Sequence, residues 1–368
     1  TIPHYGSSFL FVTYFLDRFG NEATQALVSS DLNGLASVDA VLEDLGILNP
    51  DTGQQMTADD VYMDWAVTNY LKDEYNVTDR FIYSNYPGAP QFFPTEEIDQ
   101  CPTGTQDRDV TQYGVDYLLI NCSGTYQLNF QGEQTVQVIP EDAFSGDYAF
   151  WSNKGDQSDI TLTREFDFRD VQDSITLVYW TWYDLEEDYD YLYLEVSENG
   201  EDWEILRTPS GTDQDPSGNS YGWGYNGLSG GNGSWIRESV DLSRYAGEKV
   251  QIRFEYITDD AVHGEGFLLD DVAIPEINYF TDFEQDEDGW IGEGFVRIKN
   301  ILPQTYRVAL VKLGAVPAVE YLPLAADNQL DVSFTIGDDS GTNQVLLVVS
   351  GTTRYTRQRA PYQYQIGN

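Results

Sequence analysis

Hydrophobic positions in the first 75 residues recur at helical spacing. In SSFLFVTYFLDRFG, Phe9, Leu10, Tyr14, Phe15 and Leu16 follow that period, and Gly20 is placed to stop the helix. Asn21 can cap a second helix, EATQALVSS. Ser37 opens SVDAVLEDLG, where Val38, Val41, Leu42 and Leu45 form one face and Gly46 ends it. Thr57 and Asp60 have the spacing of a capping box, in its acidic Asp variant, ahead of VYMDWAVTNYLKDEY. Residues 76–109, rich in Pro, Gly, Asp and Gln, read as an irregular connection.

From about residue 110 the period changes to two. YGVDYLLIN, TYQLNFQG and TVQVIP read as short strands, followed by SITLVYWTWYDL, DYLYLEVSENG, DWEILRTP, WIRESVDLS, KVQIRFEYIT and EGFLLDDVAI. Asn199–Gly200 marks a two-residue hairpin turn. Residues 209–234 form a long Gly-, Ser- and Asp-rich loop, a length usually tied to function or motion. The acidic stretch YFTDFEQDEDG (279–289) reads as a boundary, and GFVRIKN, YRVALVKLG, AVEYLPL, LDVSFTIGD and NQVLLVVSG follow it as further strands. The pattern predicts a multidomain, mainly β chain. Residues 1–88 form an N-terminal α-helical subdomain, 89–278 a central jelly-roll β-sandwich, and 279–368 a small Ig-like β-sandwich. The closing TTRYTRQRAPYQYQI carries Arg354, Arg357 and Arg359, suited either to an acidic face of a neighbouring element or to a solvated last strand.

The chain has 368 residues, which suits two or three domains. A hydrophobic share of 41% and an aromatic share of 14% exclude wholesale disorder. A net charge of −43 repels phosphate backbones and anionic lipids and favours bound cations. No apolar run reaches the roughly 18–20 residues of a membrane helix. The start, TIPHYGSS, does not read as a signal peptide and enters a helical pattern at once, so the chain is expected to be a processed product or part of a longer protein.

Cys101 and Cys122 are either two buried thiols or one disulfide closing a loop of about 20 residues. Their polar, turn-rich surroundings favour the disulfide and with it an oxidising, extracellular compartment. His4 and His263 are the two histidines, so the chain has no H-E-x-x-H helix; a Walker loop is absent too. The densest carboxylates are Asp184, Glu186, Glu187, Asp188 and Asp190. Strand alternation would put Asp184, Glu186, Asp188 and Asp190 on one side, where a Ca²⁺ ion would relieve their repulsion. In GFLLDDVAI one of Asp270 and Asp271 must face the apolar side, a costly position unless it is paired or metal-bound. Asp156 and Asp159 are weaker metal candidates. DFEQDEDGW fails as an EF-hand: counted from Glu284, the twelfth position is Phe295.

Several stretches resemble the secreted immune inhibitor A-type zinc metallopeptidases. HYGSSFLFVTYFLDRFG with LVSSDLNGLASVDAVLEDLG resembles the helical region after the zinc-binding helix. SGDYAFWSNKGDQSDITLTREFDF, WYDLEEDYDYLYLEVSENGEDWEIL, SVDLSRYAGEKVQIRFEYITDD and GFLLDDVAI resemble the family's non-catalytic jelly roll. DFEQDEDGW and VLLVVSGTTRYTRQRAPYQYQI resemble its C-terminal module. In that family the H-E-x-x-H helix and the third zinc ligand precede the HYG segment. The resemblance therefore implies a C-terminal fragment of a secreted peptidase that is inactive alone, with Zn²⁺ only in the intact enzyme and the missing catalytic part as its partner. His4 and Tyr5 would border the cleft there, or serve as a structural pair at a helix start. The resemblance also supports Asp270 on a structural calcium. Two other classes of function remain to be compared: a polysaccharide- or surface-binding module using Tyr221, Trp223 and Tyr225, and an extracellular structural subunit that self-assembles.

Overall fold

The computed structural model describes residues 2–72, 78–337 and 340–368, with side chains from Tyr5 onward. The chain divides into two units. The first joins Thr1–Val138 to Leu302–Asn368, and the second is Ile139–Ile301.

The first unit starts with the expected helices. The helix Ile2–Val28 kinks at Gly20, whose φ of 81° and ψ of −174° no helix accommodates, so the two predicted segments follow each other without a gap. Helix Leu35–Asp44 buries Val38, Val41 and Leu42. Helix Ala58–Leu71 starts on the Thr57–Asp60 capping box. Its residues are buried on every side. Trp65 and Tyr62 join the core of the other helices, while Met63, Ala66, Val67 and Leu71 pack on Leu119, Val311, Leu346 and Val348 of a sheet. The helix thus has apolar residues on both of its packed faces and lies in a buried layer.

That sheet has five strands in the order Glu96–Ile98, Asp116–Ile120, Thr342–Gly351, Tyr306–Gly314 and Ala318–Leu322. On its other face lies a four-stranded sheet of Gln106–Val110, Ala360–Gly367, Gly124–Gly132 and Gln329–Ile336, enclosing Leu118, Phe130, Leu310, Leu347 and Tyr364. With helix on one face and sheet on the other, the central strand NQVLLVVSG reads as a continuous apolar run. The disulfide joins Cys101 to Cys122. Arg354 reaches Asp39 at 2.6 Å, so the basic tail docks on an acidic helical face.

The second unit is a two-sheet, jelly-roll-type sandwich. One sheet runs Glu204–Ile205, Tyr191–Ser197, Lys249–Ile257, Asp159–Asp167 and Ile291–Glu293. The other runs Ile236–Asp241, Thr176–Asp184, Gly266–Ile274, Tyr148–Trp151 and Val296–Lys299, with Tyr279–Thr281 added on Gly266–Ile274. Leu162, Tyr179, Leu194, Phe254, Phe267 and Trp290 fill the space between them.

Two expectations are corrected. The boundaries at 89 and 279 do not hold. Strands at 106–132 pair with strands at 329–367, while 279–299 complete the jelly roll, because β partners are chosen by sheet register rather than by nearness in sequence. The two-residue hairpin at Asn199–Gly200 is a longer loop between Ser197 and Glu204. There the Asn199 side chain takes the N–H groups of Glu201 and Asp202 and widens the turn.

Candidate metal centre

Strand Thr176–Asp184 ends where the acidic run begins. The backbone then turns: Asp190 N–H donates to Glu186 O at 3.2 Å, and Asp188 takes a left-handed φ of 68°. Alternation therefore does not operate between Asp184 and Asp190. Asp188 offers its carbonyl to Ser217 Oγ and lies outside the carboxylate group that forms. That group is Glu186, Asp190 and Asp259, with one oxygen from each lying within 4.8 Å of the others.

Asp259 comes from the turn after strand Lys249–Ile257. Ile257 pairs with Tyr191, so the residues just beyond the two strand ends meet. Asp190 is fully buried. Its Oδ1 accepts from Asp259 N–H at 3.0 Å and its Oδ2 from Tyr256 OH at 3.2 Å. Glu186 Oε2 is shut off from solvent and has no hydrogen-bond partner. Burial pushes the Glu186 carboxyl up, and the charges of Asp259, Asp190 and Asp156 push the same way. Burial also raises Asp190, opposed by the Asp259 N–H and the Tyr256 hydroxyl. A buried, unpartnered carboxylate oxygen beside two further carboxylates suits a hard cation with oxygen ligands.

The long loop is tied to this corner. Asn226 Nδ2 donates to Asp190 O at 3.2 Å, Asn219 Nδ2 to Tyr189 O at 3.3 Å, and Tyr191 OH to Gln214 O at 3.2 Å.

The other sequence candidates stand outside that trio, although the charge of Asp156 is felt at Glu186. Asp270 pairs with Trp180 and Asp184 with Gly266, four residues apart along one strand, or about 13 Å. Asp270 is fully buried, and its oxygens accept backbone N–H groups of Ser145 (3.0 Å) and Asp271 (2.8 Å). Burial nevertheless pushes its pKa up to about 7. Asp271 Oδ1 accepts from Ser145 Oγ at 2.8 Å. Together the two aspartates pin residues 144–145, where Phe144 stacks on Trp180 at 3.8 Å. Asp156 pairs with His263 Nδ1 at 2.6 Å, and Asp159 is exposed at a strand start.

Nor does the loop present an aromatic platform. Tyr225 is fully buried, with its hydroxyl 2.6 Å from that of Tyr179. Arg207 lies over the Trp223 ring at 4.8 Å. Tyr221 is exposed. Tyr5 is exposed on the first helix, and the His4 side chain lies outside the described residues.

Residues 122–299 match the family model "Immune inhibitor A-like, MAM domain". Immune inhibitor A of Bacillus thuringiensis subsp. alesti is 32% identical over 171 residues, 46% of this chain and 23% of that protein. Bacillopeptidase F of Bacillus subtilis (strain 168) is 33% identical over 104 residues, 28% of this chain and 6% of that protein. The pre-pro-metalloprotease PrtV of Vibrio cholerae serotype O1 is 29% identical over 129 residues, 35% of this chain and 13% of that protein. The matches therefore span under a quarter of each relative's length. Among solved structures, the CUB1-EGF-CUB2 region of human MASP-1/3 matches at 10% identity, covering 65% of this chain and 99% of that one, with a TM-score of 0.20.

Proposed function

From a chain similar to the C-terminal portion of immune inhibitor A-type peptidases, we propose that it is the non-catalytic part of a secreted zinc peptidase, supporting a catalytic part and inactive alone. The match over residues 122–299 carries this reading. The first helix adds to it. Tyr5, Phe9 and Val12 lie one helical face apart and are all exposed, Tyr5 at 80%. Of these, Val12 also lines a cavity of about 480 Å³, together with Phe11, Leu27, Leu35, Val38 and Trp65. Such a lining suits the apolar face of a packed neighbour better than a hydrolytic cleft, which needs convergent acid–base groups. Zinc would be held by the part that bears H-E-x-x-H, because this chain has no pair of histidines on one helix. The acidic surface and the disulfide support placement outside the cell.

The test is association with the zinc-bearing part encoded upstream. Casein turnover should require both parts, and the triple substitution Tyr5→Ser, Phe9→Ser, Val12→Ser should weaken their association. Chelator-sensitive turnover by this chain alone would overturn the reading.

Calcium is proposed as the cofactor of the jelly roll, held by Glu186, Asp190 and Asp259. The orphaned Glu186 Oε2 is the observation that supports it. The ion would neutralise three carboxylates and fix two turns, together with the loop that leans on them.

A further inference from the structure

Strand Ile236–Asp241 is an edge strand of the jelly roll, and it alternates: Glu238 and Val240 are buried, while Arg237, Ser239 and Asp241 are exposed. Glu238 thus holds a core position. It has no solvent exposure, and neither of its carboxyl oxygens has a partner that meets hydrogen-bond geometry.

Its neighbours come from the adjacent strand and the long loop. Tyr179 is its cross-strand partner, and Tyr183 lies further along the same strand. Tyr225 lies across the core, bonded to Tyr179. Ser210 opens the long loop; its hydroxyl and N–H draw the Glu238 pKa down, but burial raises it by more. Beside Ser210, Thr208 is buried with its hydroxyl unpartnered, and its carbonyl receives Trp223 Nε1 at 2.9 Å. The titratable groups that face Glu238 are all acids, Tyr179, Tyr183 and Tyr225, each raised by burial. Among the described residues no ion pair includes Glu238.

A buried carboxylate without a basic partner needs a counter-charge. Calcium asks for six to eight oxygens. Here the two phenols satisfy one another, leaving the Ser210 hydroxyl beside the carboxyl. A proton needs no such shell.

We propose that Glu238 is a proton-held latch: as the neutral acid it seats the Thr208–Trp223 segment on the edge strand, and its ionisation releases that end of the long loop. The sign follows from linkage. The latched carboxyl holds its proton more tightly than a released one, whose pKa is ordinary, about 4.3. Latching is strongest in acid, weakens as pH rises above that value, and levels off once the latched carboxyl itself ionises. The proposal is independent of the peptidase and calcium readings.

The test is amide exchange of peptides spanning residues 207–225 in the full chain between pH 4 and 9, at fixed calcium. After correction for intrinsic exchange, protection should fall about tenfold per pH unit above about pH 5 and then level off, one proton being linked. In Glu238→Gln the corrected protection should not change with pH. Equal profiles for the two proteins would overturn the proposal, as would restoration of wild-type protection at pH 8 by added sodium, potassium or calcium. If Glu238→Gln does not fold, isotope-edited infrared of the wild type decides: a neutral carboxyl band from Glu238 that persists to higher pH than that of an ordinary glutamate, about 4.3, supports the latch, and its loss at that ordinary value refutes it.

Discussion

Asp270 offers a measurement in which the proton and metal readings of one buried carboxylate predict opposite slopes. Its carboxyl is fully buried and pushed from 3.8 to about 7, burial outweighing the N–H donors of Ser145 and Asp271. A raised acid favours the folded state below the unfolded pKa, and that contribution is lost as pH climbs to the folded pKa. At 1.36 kcal/mol per pH unit the loss between pH 3.8 and 7 is about 4 kcal/mol. Asp270→Asn removes the titration but leaves one N–H facing an amide NH₂ in place of an oxygen, a cost of about 1–3 kcal/mol at every pH. The variant should therefore be less stable than wild type at pH 4 and gain about 4 kcal/mol relative to it by pH 8. For a unit of this size that is a relative shift of about 8–16 °C in Tm. Trp65 is the one tryptophan of the eight outside residues 139–301, so tryptophan fluorescence during unfolding, with EDTA present, follows the jelly roll. A difference between variant and wild type that stays constant from pH 4 to 8 would show Asp270 ionised throughout. A calcium ligand would behave in the opposite way, the variant losing ground as pH rises in calcium.

Calcium should raise the melting temperature of the jelly roll and EDTA lower it, by about 2.7 kcal/mol at a hundredfold excess over Kd, with magnesium less effective. Glu186→Gln or Asp259→Ala should abolish the calcium response, and a melt unchanged by EDTA would count against the site. Asp64, 1% exposed, holds Arg80 through two bonds of 2.8 and 2.7 Å and also accepts from Tyr321 OH. Arg80→Met should cost the first unit about 3–5 kcal/mol in urea unfolding, and Asp64→Leu added to it should recover part of that; a loss below about 1 kcal/mol would show the pair to be dispensable. Cys101→Ser with Cys122→Ser should lower stability by about 3 kcal/mol through loop entropy, read from the same unfolding curves.

Local features of the fold were legible in the sequence, and partnerships were not. Thr57, Asp60 and Gly20 act over one helical turn, so their roles could be read directly. Strands such as DYLLI and NQVLLVVSG were equally visible, but period two says which face is buried and not which strand lies alongside. Pairing of Leu118 with Leu347 therefore escaped, and the domain boundaries with it. The metal corner shows the same division. Glu186 and Asp190 stand in a conspicuous acidic run, whereas Asp259 joins them only because Ile257 pairs with Tyr191. Asp188 was drawn in by assuming a regular strand, and its left-handed backbone removes it. Tyr225 looked like a loop aromatic until Leu192 paired with it and drew it into the core. Glu238 was visible as a charge in the same parity as Val240 within WIRESVDLS, a signal that needed only the buried side of the strand to be known.

Ile139 and Asn300 bind each other at the neck of the jelly roll: Ile139 N–H donates to Asn300 Oδ1 at 3.0 Å, and Asn300 Nδ2 donates to Ile139 O at 3.0 Å. Immediately beyond, Thr135–Val136 pairs with Leu302–Pro303. This arrangement sets a timetable for synthesis. When Asp116–Ile120 leaves the ribosome, its partner at 345–349 is more than 200 residues away, about 10–40 s at ordinary elongation rates. The inserted sandwich has all its strands by residue 299, so it can fold while the first half of its host still waits. Once folded, it turns a closure across more than 160 residues into the closing of a hairpin, removing most of the entropy that the late strands would otherwise have to overcome. The middle of the chain thus acts as an internal template for the assembly of its two ends.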